Sequence, residues 1–211
     1  ATYALVQARY RLSAAQAAAF VRVVILRRNT CVLGPAGSGK HYVMRTIADC
    51  VARALRDDPG AVAIVAPTDA TAYLSATELV PALTLVDFFN LQRTARSVGA
   101  PRVVGSQRAS DDELAFGLAG FRADLERSGA PRGLPTAVID EHTRARLCAV
   151  RLLVLTEASL LCAETLQLIH EALCFARCSR APFGAVTVLV SADFFAGAPA
   201  TTTAMTATTA R

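Results

Sequence analysis

Lysine is almost missing: of the 22 lysines and arginines in this 211-residue chain, only Lys40 is a lysine. A background of surface lysines is thereby excluded, and Lys40 stands out as retained for a reason or left over from one. Paired C-x-x-C cysteines are absent too. The six cysteines (Cys31, Cys50, Cys148, Cys162, Cys174 and Cys178) are scattered through apolar stretches, a pattern that predicts reduced, buried thiols in an intracellular, reducing compartment. No apolar run reaches the roughly 18–20 residues that a bilayer-spanning helix needs, and no secretory signal pattern opens the chain, so no membrane partner is expected. The first residue is Ala rather than Met, which a removed targeting peptide and an arbitrary start would leave alike. A strong charge imbalance is also missing: 22 basic against 17 acidic residues give +5, compatible with nucleic acid but too small to establish it.

The length suits one large domain over 1–200 better than two, with a Thr/Ala-rich tail or linker at 201–211. Four apolar runs without alternation, at 30–33, 61–66, 152–155 and 186–190, read as strands buried on both faces of a parallel sheet. Val43, Ile47, Val51 and Leu55 recur at helical spacing opposite Arg45, Asp49, Arg53 and Arg56, and a second helix is expected over 163–177. Strand, glycine loop, helix and strand follow in the order of a phosphate-binding βαβ unit, hence an α/β fold with a mostly parallel sheet flanked by helices. The Arg-, Gly- and Ser-rich stretch at 92–135 reads as an enlarged insertion, in which Ser110-Asp111-Asp112-Glu113 resembles a capping box opening a helix. His170, Cys174 and Cys178 fall at i, i+4 and i+8, a spacing that metal ligands and a core-facing stripe both produce. The stripe is the expectation, and no metal site is predicted.

The glycine loop is Gly34-Pro35-Ala36-Gly37-Ser38-Gly39-Lys40-His41. Its spacing is that of G-x-x-x-x-G-K-[ST], in which small residues let backbone N–H groups curl around phosphates while the lysine reaches the outer ones. His41 breaks the last position. The missing hydroxyl is the oxygen that would hold Mg²⁺, a hard cation that imidazole binds poorly. An ATPase of this kind also needs a strand that ends in Asp-Glu, the Asp for the metal and the Glu for the attacking water. Val138-Ile139-Asp140-Glu141 has the letters but a poor strand. Leu152-Leu153-Val154-Leu155-Thr156-Glu157 has the strand, followed by a helix and another apolar run, and is the better candidate. Asp140-Glu141 then becomes a solvated loop or helix start, and Thr156 stands where Asp should be.

Taken in order, these pieces resemble the N-terminal RecA-like domain of the PIF family of DNA helicases, from the RecD branch of superfamily 1. The stretch from Leu12 to Phe20 is similar to the family's opening helix, whose glutamine, here Gln16, contacts adenine. Ala66-Pro67-Thr68-Asp69-Ala70-Thr71-Ala72 resembles "APTGxAA", and Thr84-Leu85-Val86-Asp87-Phe88-Phe89 resembles the "TxHSFF" that touches single-stranded DNA. Val154 to Leu161 is similar to "IIDEISML", and Ala192-Asp193-Phe194-Phe195-Ala196-Gly197-Ala198-Pro199 to "GDFFQLPP". The resemblance implies a P-loop nucleotide site built from Gln16, Gly34, Pro35, Ala36, Gly37, Ser38, Gly39, Lys40, His41 and Asp193, with Glu157 the remnant of a catalytic acid. The departures lie where the chemistry would be: His41 and Thr156 at the metal positions, Ala196 for the phosphate-sensing glutamine, Asp69 and Val86 in the DNA-contacting motifs.

The expectation is therefore a catalytically inactive PIF-like domain that serves as a scaffold or binding subunit of a larger assembly, a mitochondrial ribosome or ribosome-assembly particle among the candidates. Its partners would be proteins and, secondarily, RNA, met through a former interdomain cleft and through Arg93, Arg96, Arg102, Arg108, Arg144 and Arg146. ATP or ADP suits the loop, though an empty site without Mg²⁺ is the expectation. Two other readings stay open. One is the first domain of an ATP-dependent 5′-to-3′ helicase acting on single-stranded DNA, and the other is a nucleotide-binding module without turnover.

Overall fold

The computed structural model describes residues 2–58, 60–89 and 141–193. The insertion at 92–135 with its capping box, Asp140, Arg93, Arg96, Arg102, Arg108, the stretch from Phe194 to Pro199 and the tail lie outside them. Two helices, α1 (Thr2–Tyr10) and α2 (Ala14–Phe20), lead through a widened π-helical turn at Val21–Ile25 into β1 (Thr30–Leu33). Then come α3 (Lys40–Ala54), β2 (Val62–Ala66), α4 (Asp69–Ser75), β3 (Ala82–Thr84) and α5 (Leu85–Phe89). The remainder is α6 (Glu141–Ala149), β4 (Leu152–Leu155), α7 (Ala163–Ala176) and β5 (Thr187–Ala192).

All five strands pair in parallel in the order β1-β5-β4-β2-β3. Every residue of β2 and β4 is buried, because a parallel sheet with helices on both sides leaves neither face to water. Alternate residues then divide between two cores. Ala63, Val65, Leu153, Leu155 and Val188 pack with Leu147 of α6, with Ile169 and Leu173 of α7, and with Phe88 of α5. Ile64, Leu152, Val154 and Leu189 pack on the other face with Phe20 and Val21 and with Val43, Met44 and Ile47 of α3. The four apolar runs are four of these strands. β3 escapes the periodicity argument because three residues, each only half-buried, are too few to show a period.

Capping residues fix where the helices start. Ser13 caps α2 in a box with Gln16, and Thr68 caps α4 in a box with Thr71. Asp69 is the exposed first residue of α4, and Glu141 is the exposed first residue of α6, a helix start as its sequence context implied. Arginine does structural work. Arg177 donates from Nη1 to the carbonyls of Cys148 (2.6 Å) and Val150 (3.0 Å) and from Nε to that of Gly184 (2.8 Å), which pins the end of α7 to the entry of β4. The Arg146 guanidinium lies 5.4 Å over the Phe88 ring, while Arg144 faces the Cys178 sulfur at 3.9 Å.

The cysteines correct one expectation. All six are free and none is buried; Cys31, Cys148 and Cys178 are exposed. The reason is position rather than composition: β1 is a sheet edge whose burial alternates, and Cys148 and Cys178 sit near helix ends. No group of three or more metal-ligating side chains occurs among the described residues. His170 accepts a hydrogen bond from the Phe183 backbone N–H (2.9 Å), and the Cys174 thiol donates to the Ala181 carbonyl (3.2 Å), so this stripe holds the loop after α7.

Because β4 is central and Leu153 is fully buried, Leu153→Ala is expected to lower stability by about 2–5 kcal/mol. Leu33→Ser, at a 60 % exposed edge position, should stay within about 0.5 kcal/mol. Urea denaturation of both variants tests this, and equal losses would contradict the assigned core.

Candidate nucleotide site

The C-terminal ends of β1, β4 and β5 meet the start of α3, the crevice where open α/β sheets bind ligands. The loop from β1 to α3 reaches it through two left-handed glycines, Gly37 at φ 78° and Gly39 at φ 79°. A side chain at either position would incur about 1–2 kcal/mol of backbone strain. A Cβ on Gly39 would also come within 2.6 Å of the Gln16 amide nitrogen. Pro35, Ala36, Gly37 and Ser38 are exposed, so the crest of the loop is open to a ligand.

Lys40, the first residue of α3, is only 6 % exposed. A buried ammonium needs partners. Its Nζ donates to the carbonyls of Gly34 (2.6 Å) and Pro35 (2.9 Å) and lies 3.7 Å from the Asp193 carboxylate. Asp193, at the end of β5, is itself 5 % exposed, and its backbone N–H donates to the Ser159 hydroxyl at 3.3 Å. Lysine and aspartate, 153 positions apart by their numbers, are thus brought together by the pairing of β5 beside β1.

His41 and Glu157 meet in the same way. Glu157 follows β4 in a left-handed conformation (φ 49°, ψ 42°), and its backbone N–H donates to the buried Ser191 hydroxyl at 3.3 Å. Its Oε1 lies 3.6 Å from His41 Nε2, too far for a hydrogen bond. That nitrogen is shielded from solvent and has no hydrogen-bond partner among the described residues. Thr156 is 1 % exposed, and its hydroxyl likewise has none. A Mg²⁺ ion wants oxygen ligands in a near-octahedral set with several waters. At the two positions where the resemblance places metal ligands, an imidazole at 41 and a neutral, buried hydroxyl in place of a carboxylate at 156 make a poor set for it.

Gln16 is drawn into the site by helix capping. Its Oε1 accepts the Ser13 backbone N–H at 2.9 Å, and its Nε2 faces the Ser38 and Gly39 carbonyls at 3.5 and 3.4 Å. The structure thus gathers Gln16, the loop from Gly34 to His41, Glu157 and Asp193 into one place. The hydroxyls of Ser159 and Ser191, which anchor the two acids, were not anticipated. Ser191 carried a signal, as the one hydroxyl-bearing residue inside the apolar stretch of β5 after Thr187; Ser159 carried none.

A family model described as an AAA domain matches residues 11–176. The Pif1 helicase from Candida albicans superposes with a TM-score of 0.59 at 19 % identity, covering 89 % of this chain and 34 % of that one. The Pif1 helicase from Bacteroides, in complex with ADP-AlF3 and ssDNA, gives 0.57 at 19 %, covering 91 % and 34 %. At such identities the likeness is one of fold, that of the N-terminal RecA-like P-loop domain of a PIF-type helicase. The chain spans about a third of the length of these helicases. No curated protein matches it.

Gly39→Ala should cost about 1–2 kcal/mol through its left-handed backbone alone. In a Gln16→Ala background, which lacks the 2.6 Å contact, the cost of Gly39→Ala should be smaller but should not vanish, because the backbone strain remains. Thermal denaturation of the single and double variants measures the split; a costless Gly39→Ala would refute the loop conformation.

Proposed function

The chain belongs to the AAA-domain family, and from that membership we propose that it is a nucleotide-holding RecA-like domain without Mg²⁺-dependent turnover, acting as a binding subunit of a larger assembly. The observation that carries this reading is the contrast within one crevice. The phosphate-binding half is intact: left-handed Gly37 and Gly39, an open loop crest, and a single lysine held by Asp193. The metal-binding half is replaced: imidazole at 41 and a buried hydroxyl at 156. An incoming phosphate takes over from the Gly34 and Pro35 carbonyls as the partner of Lys40, a charge-assisted contact stronger than those to neutral carbonyls. Loop N–H groups and the start of α3 add to its binding.

In phosphoryl transfer the metal neutralises charge between the phosphates, and positioning with electrostatic stabilisation supplies almost all of the catalysis. A crevice that keeps its phosphate-binding loop and loses its metal ligands binds better than it cleaves. Glu157, which a motor would use to orient water, is instead turned toward His41. The grouping of Lys40, Asp193 and Glu157 also supports a second reading, the first domain of a PIF-type helicase moving on single-stranded DNA.

Titration calorimetry with ADP in EDTA is expected to show binding that Lys40→Ala weakens at least tenfold, about 1.4 kcal/mol. Phosphate release from ATP with Mg²⁺ should be undetectable for the unmodified chain, and His41→Ser with Thr156→Asp supplies the comparison. Mg²⁺-dependent turnover by the unmodified chain that vanishes in Lys40→Ala would overturn the binding reading in favour of the motor.

A further inference from the structure

His41 removes a magnesium ligand, but it brings a different donor to the same place. Its Nε2 is shielded from solvent, makes no hydrogen bond among the described residues, and stands 3.6 Å from the Glu157 Oε1. The His41 side chain as a whole is still 38 % exposed and that of Glu157 23 % exposed, so the pair borders the open crevice. Two donors held about 2.0–2.2 Å from a tetrahedral ion lie roughly 3.4 Å apart. The observed spacing is within a few tenths of an ångström of that value. Imidazole with carboxylate is a donor set for zinc-class divalent ions, and the imidazole makes it a poor one for Mg²⁺.

We propose that His41 and Glu157 form a two-ligand seat for a zinc-class transition cation, whose remaining positions are filled by phosphate oxygens of the nucleotide and by water. This inference rests on the nucleotide reading above. It changes the cation on which that site depends. Two protein ligands alone hold such an ion weakly, so cation and nucleotide should bind together, each raising the affinity for the other by the same factor. The charge balance agrees. Lys40 and Asp193 already face one another at 3.7 Å, which leaves Glu157 as the carboxylate available to a second cation beside the phosphates.

The test uses the intact chain, a fluorescent ADP analogue, and Co²⁺ as the spectroscopic probe for zinc. ADP affinity should rise at least tenfold in Co²⁺ over both Mg²⁺ and EDTA, and a weak cobalt absorption should appear only when ADP is present. His41→Ser should abolish the gain, and Glu157→Gln should reduce it, with circular dichroism confirming that both variants fold. Comparing cations on the unmodified chain needs no variant and stands by itself. Equal ADP affinity in Co²⁺, Mg²⁺ and EDTA would overturn this inference and leave the nucleotide reading standing, whereas absence of ADP binding under every condition would remove both. An intense thiolate-to-cobalt band together with a gain retained in His41→Ser would assign the metal to the exposed cysteines and also refute the proposal.

Discussion

The burial of one ammonium group organises the functional end of this molecule. Lys40 is nearly inaccessible, and a charge in that position is tolerated only when its donors are satisfied and a counter-charge lies close by. The partners come from the loop it terminates, through Gly34 and Pro35, and from the far end of the chain, through Asp193. The glycine loop therefore keeps its shape only if β5 runs beside β1. Lysine suits this position because its compact charge on a slender stem can be enclosed by carbonyls, whereas the planar fork of arginine is wider. That offers a physical account of why the single lysine of an arginine-rich chain stands here.

The sheet order carries the same logic to the second acid. β5 separates the loop strand β1 from the glutamate strand β4, so Glu157 reaches the start of α3 from one strand further away. Ser191, buried in β5, bonds the Glu157 backbone, and Ser159, beyond the glutamate, bonds the Asp193 backbone. The two acid-bearing turns are thereby laced to one another across the strand ends. Both serines are almost fully buried, where an unpaired hydroxyl would be costly. Substitutions at either would be read out through the acids.

His41 and Thr156 sit in that framework without disturbing the loop beside them. The fold is indifferent to both exchanges: position 41 lies on the first turn of α3, and Thr156 keeps its backbone hydrogen bond to the Val65 carbonyl at 3.0 Å. Elsewhere two arginines make structural contacts: Arg177 ties the end of α7 to the entry of β4, and Arg146 lies over the Phe88 ring.

The sequence by itself determined the parallel α/β framework, because runs such as 62–66 and 152–155 can be satisfied only between two helical layers. It also determined the loop, since glycine is the residue type that meets the left-handed conformation at 37 and 39 without strain. That a buried strand runs just ahead of Glu157 was legible from the apolar run at 152–155 and from the helix and strand that follow it, and the structure puts Glu141 at an exposed helix start. Local pattern could not reveal β3, the exposure of the cysteines, or the two serine anchors, because each depends on what an edge or a strand end meets in space. Least visible of all was the approach of His41 to Glu157, 3.6 Å apart. Their spacing is fixed by β5 lying between two strands far apart in the chain, and non-local pairing of that kind leaves no periodic trace in a sequence.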